Sequence, residues 1–276
     1  MAALSSKTPL SISGELEQAP PNQAPLNEAG ASRLDTSVGK AVAVLNAFQG
    51  SAGALLGVSQ VAERAHLAKS TAHRILNVLV ENGYVERANE RYRLGRVIFE
   101  LGQLVPGCRP RKRTPAMPFL MDIYEFTHAT VHLAILDGTD VLYLQKIYGS
   151  HTISLPTRVG GRVPALCTSL GKAILAFSDA GTRDAILRAP VPRLTPRTVV
   201  NPLHLRAALD RFQASGIAED NEGTILGARC VAAPIFADDS GFATAAVSIS
   251  YATGESIPPA AITRLRQTAE AIAAHC

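Results

Sequence analysis

The stretch Val58 to Leu94, VSQVAERAHLAKSTAHRILNVLVENGYVERANERYRL, constrains the fold more than any other part of this chain. Val61, Ala62 and Ala65 form a short apolar-periodic segment, with Ser59 before them as an N-cap candidate. His66-Leu67-Ala68 leaves room only for a tight connection. A second helix is predicted over Lys69 to Asn82, with Ser70 or Thr71 near its start. Its apolar positions Ala72, Ile75, Leu76, Leu79 and Val80 recur three and four apart and make one buried stripe. Gly83 can supply the left-handed residue that ends it.

Two short helices joined by about three residues make a helix-turn-helix. The start of the second helix then meets base edges in the DNA major groove. Here that start holds Lys69, Ser70, Thr71, His73 and Arg74, none of which belongs to the apolar stripe. Tyr84–Arg87 and Arg91–Leu94 read as the strands of a small hairpin, or wing, which places Arg87, Arg91 and Arg93 to meet phosphates. On spacing alone, a helical hairpin packed inside a larger domain stays open as an alternative.

Charge supports the DNA reading. Residues 33–113 hold thirteen Lys and Arg against six Asp and Glu, net +7, whereas residues 1–32 carry −2 and residues 114–276 carry −1. A basic balance confined to one third of a chain is the footprint of phosphate binding. No run of eighteen apolar residues exists, so no membrane span is expected, and the N-terminus lacks a signal pattern. Cys108, Cys167, Cys230 and Cys276 lie far apart without metal-ligand spacing, so free thiols in a cytoplasmic protein are expected, with no metal or cofactor.

In chain order, residues 1–35 are rich in Pro, Ala, Ser, Gln and Asn and read as a disordered tail. Ser37 to Gln49 is predicted as a supporting helix, capped by Thr36 or Ser37, with Val38, Ala41, Val42, Leu45 and Phe48 on its buried face; Gly50 to Gly57 is a small-residue connection. These pieces make residues 36–94 one winged helix-turn-helix domain. Residues 95–113 are a linker helix, Gly95 to Val105, followed by the basic run Arg109 to Arg113. The linker helix either packs on the first domain or pairs with a second copy. Residues 114–276 form the second domain. Its expected elements are a helix over Ala116–Phe126, a hairpin of Thr130–Ile135 with Val141–Ile147, and a short strand at Ile153–Leu155. An irregular stretch Pro164–Ser169 follows, then helices over Leu170–Phe177 and Leu203–Ser215. Strands over 228–236 and Ala243–Ser250 precede a last helix over Ile257–His275. The mixture of helices and antiparallel strands is an α+β domain.

Three segments of that domain hold polar groups in apolar company: Cys167 to Lys172 opening a helix, Glu219 to Glu222 before a strand, and Ser248 with Ser250 on one strand face. Converging, they line a pocket. Apart, Thr168 and Ser169 are N-caps, the two serines face solvent and the thiols are core. Catalysis by Cys167 or Ser169 with a histidine has no supporting motif, since P-loop, GxSxG and HExxH patterns are missing and His128, His132, His151 and His204 stand in no recognisable catalytic motif.

The whole pattern resembles the IclR family of bacterial transcriptional regulators. The resemblance rests on Ala68–Leu76, Asn82–Arg87 and Arg91–Gly95 in the first domain. In the second it rests on Thr130–Gly138, Gly160–Pro164, Cys167–Ala173 and Gly227–Ile235. It covers about residues 36–276 and implies a winged helix-turn-helix domain, a linker helix and a GAF-like α+β effector-binding domain. It also implies a homodimer or dimer of dimers on double-stranded DNA, a near-palindromic operator, and a small-molecule effector, organic or aromatic acid. Carried over, the effector residues are Ser169, Leu170, Asp220, Cys230, Ser248 and Ser250, with Val163 and Ala228 as walls. Leu170 departs from the smaller residue of glyoxylate- or pyruvate-responding members, and Asn221 replaces an acid often found beside Asp220. Two other functions stay open beside it: a regulator whose second domain only dimerises, and an enzyme carrying a DNA-binding appendage.

Overall fold

The computed structural model describes residues 36–49, 55–102, 104, 116–150, 155–236 and 240–275. The N-terminal tail, the basic run 109–113 and Ile153 lie outside them. The chain divides into two compact units that meet between Leu101 and Gly102.

In the first unit α1 (Ser37–Asn46) is capped as expected, the Thr36 hydroxyl accepting from Gly39 N at 3.0 Å. Its buried face matches the expected one at Phe48 and partly at Leu45, but not at Val38 and Val42. Val44, Ala47 and Phe48 enter the core, while Val38 and Val42 are 74% and 50% exposed. Two apolar stripes run along this helix, and periodicity cannot say which one faces the core. Strand β1 (Leu56–Gly57), in a segment read as a plain connection, leads into α2 (Val58–Arg64). Ser59 is not the cap of α2. Gly57 occupies that position, and the Gln60 side chain accepts from its N–H at 2.9 Å.

Helix α3 (Lys69–Glu81) begins after Ala68 and ends at Asn82, and Gly83 follows with φ +75°. Ala72 is buried, and Leu76 and Leu79 join a core with Val44, Val61 and Ala65, against which Ile75 and Val80 pack partly. Strands β2 (Val85–Ala88) and β3 (Arg91–Leu94) form the wing, and β1 adds to the free side of β3. Asn89, at φ +56°, makes the tight turn between them. Helix α4 (Arg96–Gly102) buries no residue, and Phe99 is 69% exposed.

The second unit is built on a six-stranded antiparallel sheet in the order β6-β5-β4-β9-β8-β7. Its strands are β4 (Thr130–Asp137), β5 (Asp140–Ile147), β6 (Arg162–Pro164), β7 (Ala218–Asn221), β8 (Ala228–Ile235) and β9 (Ala245–Ala252). Helices α5 (Ala116–Thr127) and α9 (Pro259–His275) cover one face. There Leu120, Ile123, Leu265 and Ile272 meet Val131, Val231, Val247 and Ile249. Helix α6 (Ser169–Ala176) lies on the other face over Ala134, Ala218, Ala232 and Ala246, with α7 (Ala180–Arg188) and α8 (Pro202–Ser215) beyond it. Small residues under α6 let its backbone approach the sheet.

Three features of this unit differ from the sequence reading. Pro164–Ser169 is not irregular: it ends β6, makes a 3-10 turn over Ala165–Cys167 and starts α6. Strand β7 and helix α7 are additional elements. Leu155 is buried but belongs to no strand. Among the described residues no helix is long and apolar enough to cross a membrane.

Candidate functional site

Helix α3 turns one face into the core and one outward. The Ala72–Leu76–Leu79 stripe fixes the helix on α1 and α2, which leaves Lys69, Ser70, His73 and Arg74 exposed and Thr71 half-buried. Neither Lys69 nor Arg74 has an ion-pair partner among the described residues. On the wing the arginines differ. Arg93 pairs with Glu86 across β2–β3 at 2.8 Å, and Arg87 donates to Asn89 O at 3.0 Å and reaches Glu90 at 3.6 Å. Arg91 is exposed beside them at the wing tip, without an ion-pair partner among the described residues. An ion pair this exposed contributes little and yields readily to a phosphate.

In the second unit strand register brings the polar residues together. Asp220 lies opposite Cys230, Cys230 opposite Ser250, and Ser250 opposite Thr130. One row further, Ala232 lies opposite Ser248, Ser248 opposite His132, and His132 opposite Lys146. Directly paired residues share a face. These side chains therefore make a polar patch beside α6, on the face away from α5 and α9. A bulge at Leu133/Ala134 also puts Tyr143 on it, with the His132 and Tyr143 rings 5.1 Å apart edge to face.

The sequence reading passed over Thr130, His132, Tyr143, Lys146 and Thr157 on this patch. A signal existed in Thr130 and His132, polar residues two apart in an apolar strand. For Tyr143 and Lys146, an odd number apart, the bulge destroys the signal. The His132 Nε2 and Thr157 Oγ1 are 2.8 Å apart, and Lys146 Nζ donates to the carbonyls of Leu155 and Thr157 at 2.7 and 2.6 Å. Residues 155–157 are thereby tied over the patch. Burial, reinforced by the Lys146 charge, pushes the His132 imidazole down to about 3, so it is neutral.

The predicted effector residues fall into two groups. Ser248, Ser250 and Cys230 lie on the patch, with the Cys230 thiol donating to Ser250 Oγ at 3.1 Å. Val163 and Ala228 sit on strands beside it, Val163 half-buried and Ala228 buried. Leu170 instead packs in the core with Ala173 and Ile174. Ser169 is buried at the start of α6, where the Thr168 hydroxyl caps Gly171 N at 2.9 Å. Asp220 is held inside the protein. Its Oδ1 takes Lys172 Nζ at 2.7 Å, in a pair whose side chains are 8% and 4% exposed, and its Oδ2 takes Thr224 N at 3.1 Å. A carboxylate engaged on both oxygens orders the turn after β7 and offers a ligand little.

Thiolate catalysis finds no support here. Burial raises the Cys167 thiol to about 12 and the Cys230 thiol to about 11, and Cys167 Sγ faces the Pro192 carbonyl at 3.6 Å.

Two family models match the chain in order. The helix-turn-helix domain of IclR matches residues 37–88, and the bacterial transcriptional regulator IclR C-terminal domain matches residues 113–274. The chain belongs to the IclR family. Curated relatives agree. The HTH-type transcriptional regulator XynR of Escherichia coli (strain K12) is 33% identical over 79% of this chain and 86% of its own. The Pca regulon regulatory protein of Pseudomonas putida is 31% identical over 79% and 75%. A solved IclR homologue from Microbacterium hydrocarbonoxydans, complexed with 4-hydroxybenzoate, superposes with a TM-score of 0.78 at 28% identity. That match covers 87% of this chain and 98% of the other. This chain is thus a transcriptional regulator with an IclR-type helix-turn-helix DNA-binding domain and an IclR C-terminal domain.

Proposed function

We propose that this IclR-family regulator reads a near-palindromic operator with α3, and that a small organic or aromatic acid bound on the polar patch of the second unit changes its DNA affinity. The observation that carries the DNA half is the exposed, unneutralised start of α3. Lys69 and Ser70 meet phosphate or base edges, Thr71, His73 and Arg74 meet bases, and Arg87, Arg91 and Arg93 meet phosphates. Residues 36–94 are the DNA-binding domain, 95–113 the linker, and 114–276 the effector-binding and oligomerising domain. Within the latter, Ser248, Ser250 and Cys230 contact the effector, flanked by Val163 and Ala228, while Ser169, Leu170 and Asp220 shape the site from within the core. The relative that carries 4-hydroxybenzoate supports an acid as effector.

Operator symmetry requires a symmetric protein. A homodimer, or a dimer of dimers, is supported by the apolar side chains left outside on the first unit: Val38 and Val42 on α1, and Phe99 and Leu101 on α4. The protein works in the cytoplasm as a regulator and not as an enzyme, a reading supported by relatives named for regulation.

A thermal-shift screen of the full chain against carboxylic acids, 4-hydroxybenzoate included, tests the effector half. A ligand at a hundred times its Kd adds about 2.7 kcal/mol of stability. The same acid must then change affinity for the selected operator, because coupling requires different affinities for the two states. An acid that binds and leaves DNA affinity untouched contradicts the proposal and favours a second domain that only oligomerises.

A further inference from the structure

The polar patch has an unbalanced charge. Of its two lysines, Lys172 is neutralised by Asp220 at 2.7 Å. Lys146 has only neutral partners among the described residues: the carbonyls of Leu155 and Thr157, and the Tyr148 ring 4.4 Å from its Nζ. An ammonium has three N–H groups; two are given to carbonyls, and the third, beside the Tyr148 ring, is committed to no hydrogen-bond acceptor among the described residues. The other groups on the patch, Thr130, Tyr143, Cys230, Ser248 and Ser250, are uncharged, and His132 is held neutral by burial. Burial also lowers the Lys146 pKa, which means that its charge has lost water without gaining a counter-ion. The start of α6 is a poorer anion site. Gly171 N is already capped, and a Cβ at Gly171 would stand 2.2 Å from Ala165 O, so backbone lies directly on backbone there.

We infer that Lys146 receives the carboxylate of the effector, so that the site selects ligands bearing one negative charge. The inference rests on the effector-binding reading above and adds the recognition group. The ligand is a monocarboxylate whose uncharged remainder lies over His132, Ser248 and Ser250. Among the described residues a second carboxylate finds no second free cation on the patch.

Isothermal titration of the full-length protein with matched probes tests it. The acids are 4-hydroxybenzoate, benzoate and pyruvate; their amides are the uncharged partners. The wild type should bind an acid about tenfold or more tightly than its amide, the value of one charge-assisted hydrogen bond. Lys146→Gln, which can still donate to a carbonyl, should bring acid and amide to parity, and Lys146→Arg should restore the preference. Thr157→Val, which cuts the His132 tether, should weaken both probes alike and leave the ratio unchanged. An acid preference that survives in folded Lys146→Gln overturns the inference and places the carboxylate elsewhere. A measurement on the wild type alone guards against a variant that does not fold: terephthalate binding as tightly as its monoamide also overturns it. No binding by any acid contradicts the effector reading itself, which separates the two failures.

Discussion

Arg74 and Asp220 were both singled out from the sequence, and they illustrate opposite uses of a charged side chain. Arg74 is exposed on α3 with no ion-pair partner among the described residues, as a group kept for an external partner must be. Arg74→Ala should weaken operator binding by about 1–3 kcal/mol and relax base preference at one position per half-site, measured by fluorescence anisotropy on operator and scrambled duplexes. Equal loss on both duplexes would mean that Arg74 meets only phosphate. Asp220 is buried and satisfied by Lys172 and Thr224. Asp220→Ala leaves the Lys172 ammonium buried and alone, and should cost about 3–5 kcal/mol of stability in chemical denaturation. Asp220→Leu with Lys172→Met should recover part of that loss. Sequence pattern found this carboxylate but not its partner forty-eight residues away, because pairing at such separation is settled only by packing. His132 adds a pH dependence. Its folded value of about 3 lies below the ordinary value of 6.5, so below pH 6.5 the unfolded chain binds a proton that the folded chain refuses. Its contribution is constant above pH 6.5 and stability falls by about 1.4 kcal/mol per pH unit from there down toward pH 3. His132→Asn should flatten the acid side of the stability profile, and an unchanged slope would contradict the assignment.

Among the elements, the legible ones are those whose amphipathic pattern admits one answer. Helix α3 has one apolar stripe, of which Ala72, Leu76 and Leu79 are buried and Ile75 and Val80 half-buried against the same core. Helix α8 carries Asn201 before it and Gly216 after it, and both ends form as their residues dictate, with Gly216 at φ +69°. Helix α1 has two apolar stripes, and its buried face could be read only from the core. Strand β1 is two residues long, too short for a periodic signal, and β7, Ala-Glu-Asp-Asn, has none of the β-branched or aromatic residues that mark a strand; both exist because a neighbouring strand offers an edge. The bulge in β4–β5 removes period-two alternation where Tyr143 and Lys146 come onto one face, so half of the polar patch was hidden. The start of α6 depends on a close approach that only glycine allows. Gly171→Ala should lower the melting temperature sharply, or abolish folding of the second unit, because the added carbon meets the Ala165 backbone and not a movable side chain. A melting temperature within a degree or two of wild type would show that the 3-10 turn can move aside.

For the molecule as a whole, charge and exposed apolar surface divide the labour. The excess of positive charge lies in residues 33–113, and the remainder of the chain is close to neutral. Operator affinity should therefore fall linearly in log–log form with salt, each phosphate contact adding about 0.9 to the slope. A nearly salt-independent Kd would contradict the placing of Lys69 and the wing arginines. The apolar side chains outside on α1 and α4 belong to the proposed dimer. Val42→Glu with Phe99→Glu should shift the sedimentation profile toward monomer and weaken binding to a two-half-site operator far more than to a single half-site. The measurement that bears most directly on the central claim is selection of bound duplexes from a random pool about 30 base pairs long, a length that holds two half-sites one helical turn apart. The wild-type chain should enrich an inverted repeat, and Arg74→Ala should lose preference at the same base in both halves. A pool that stays random, or a motif without two-fold symmetry, would contradict symmetric operator reading by α3.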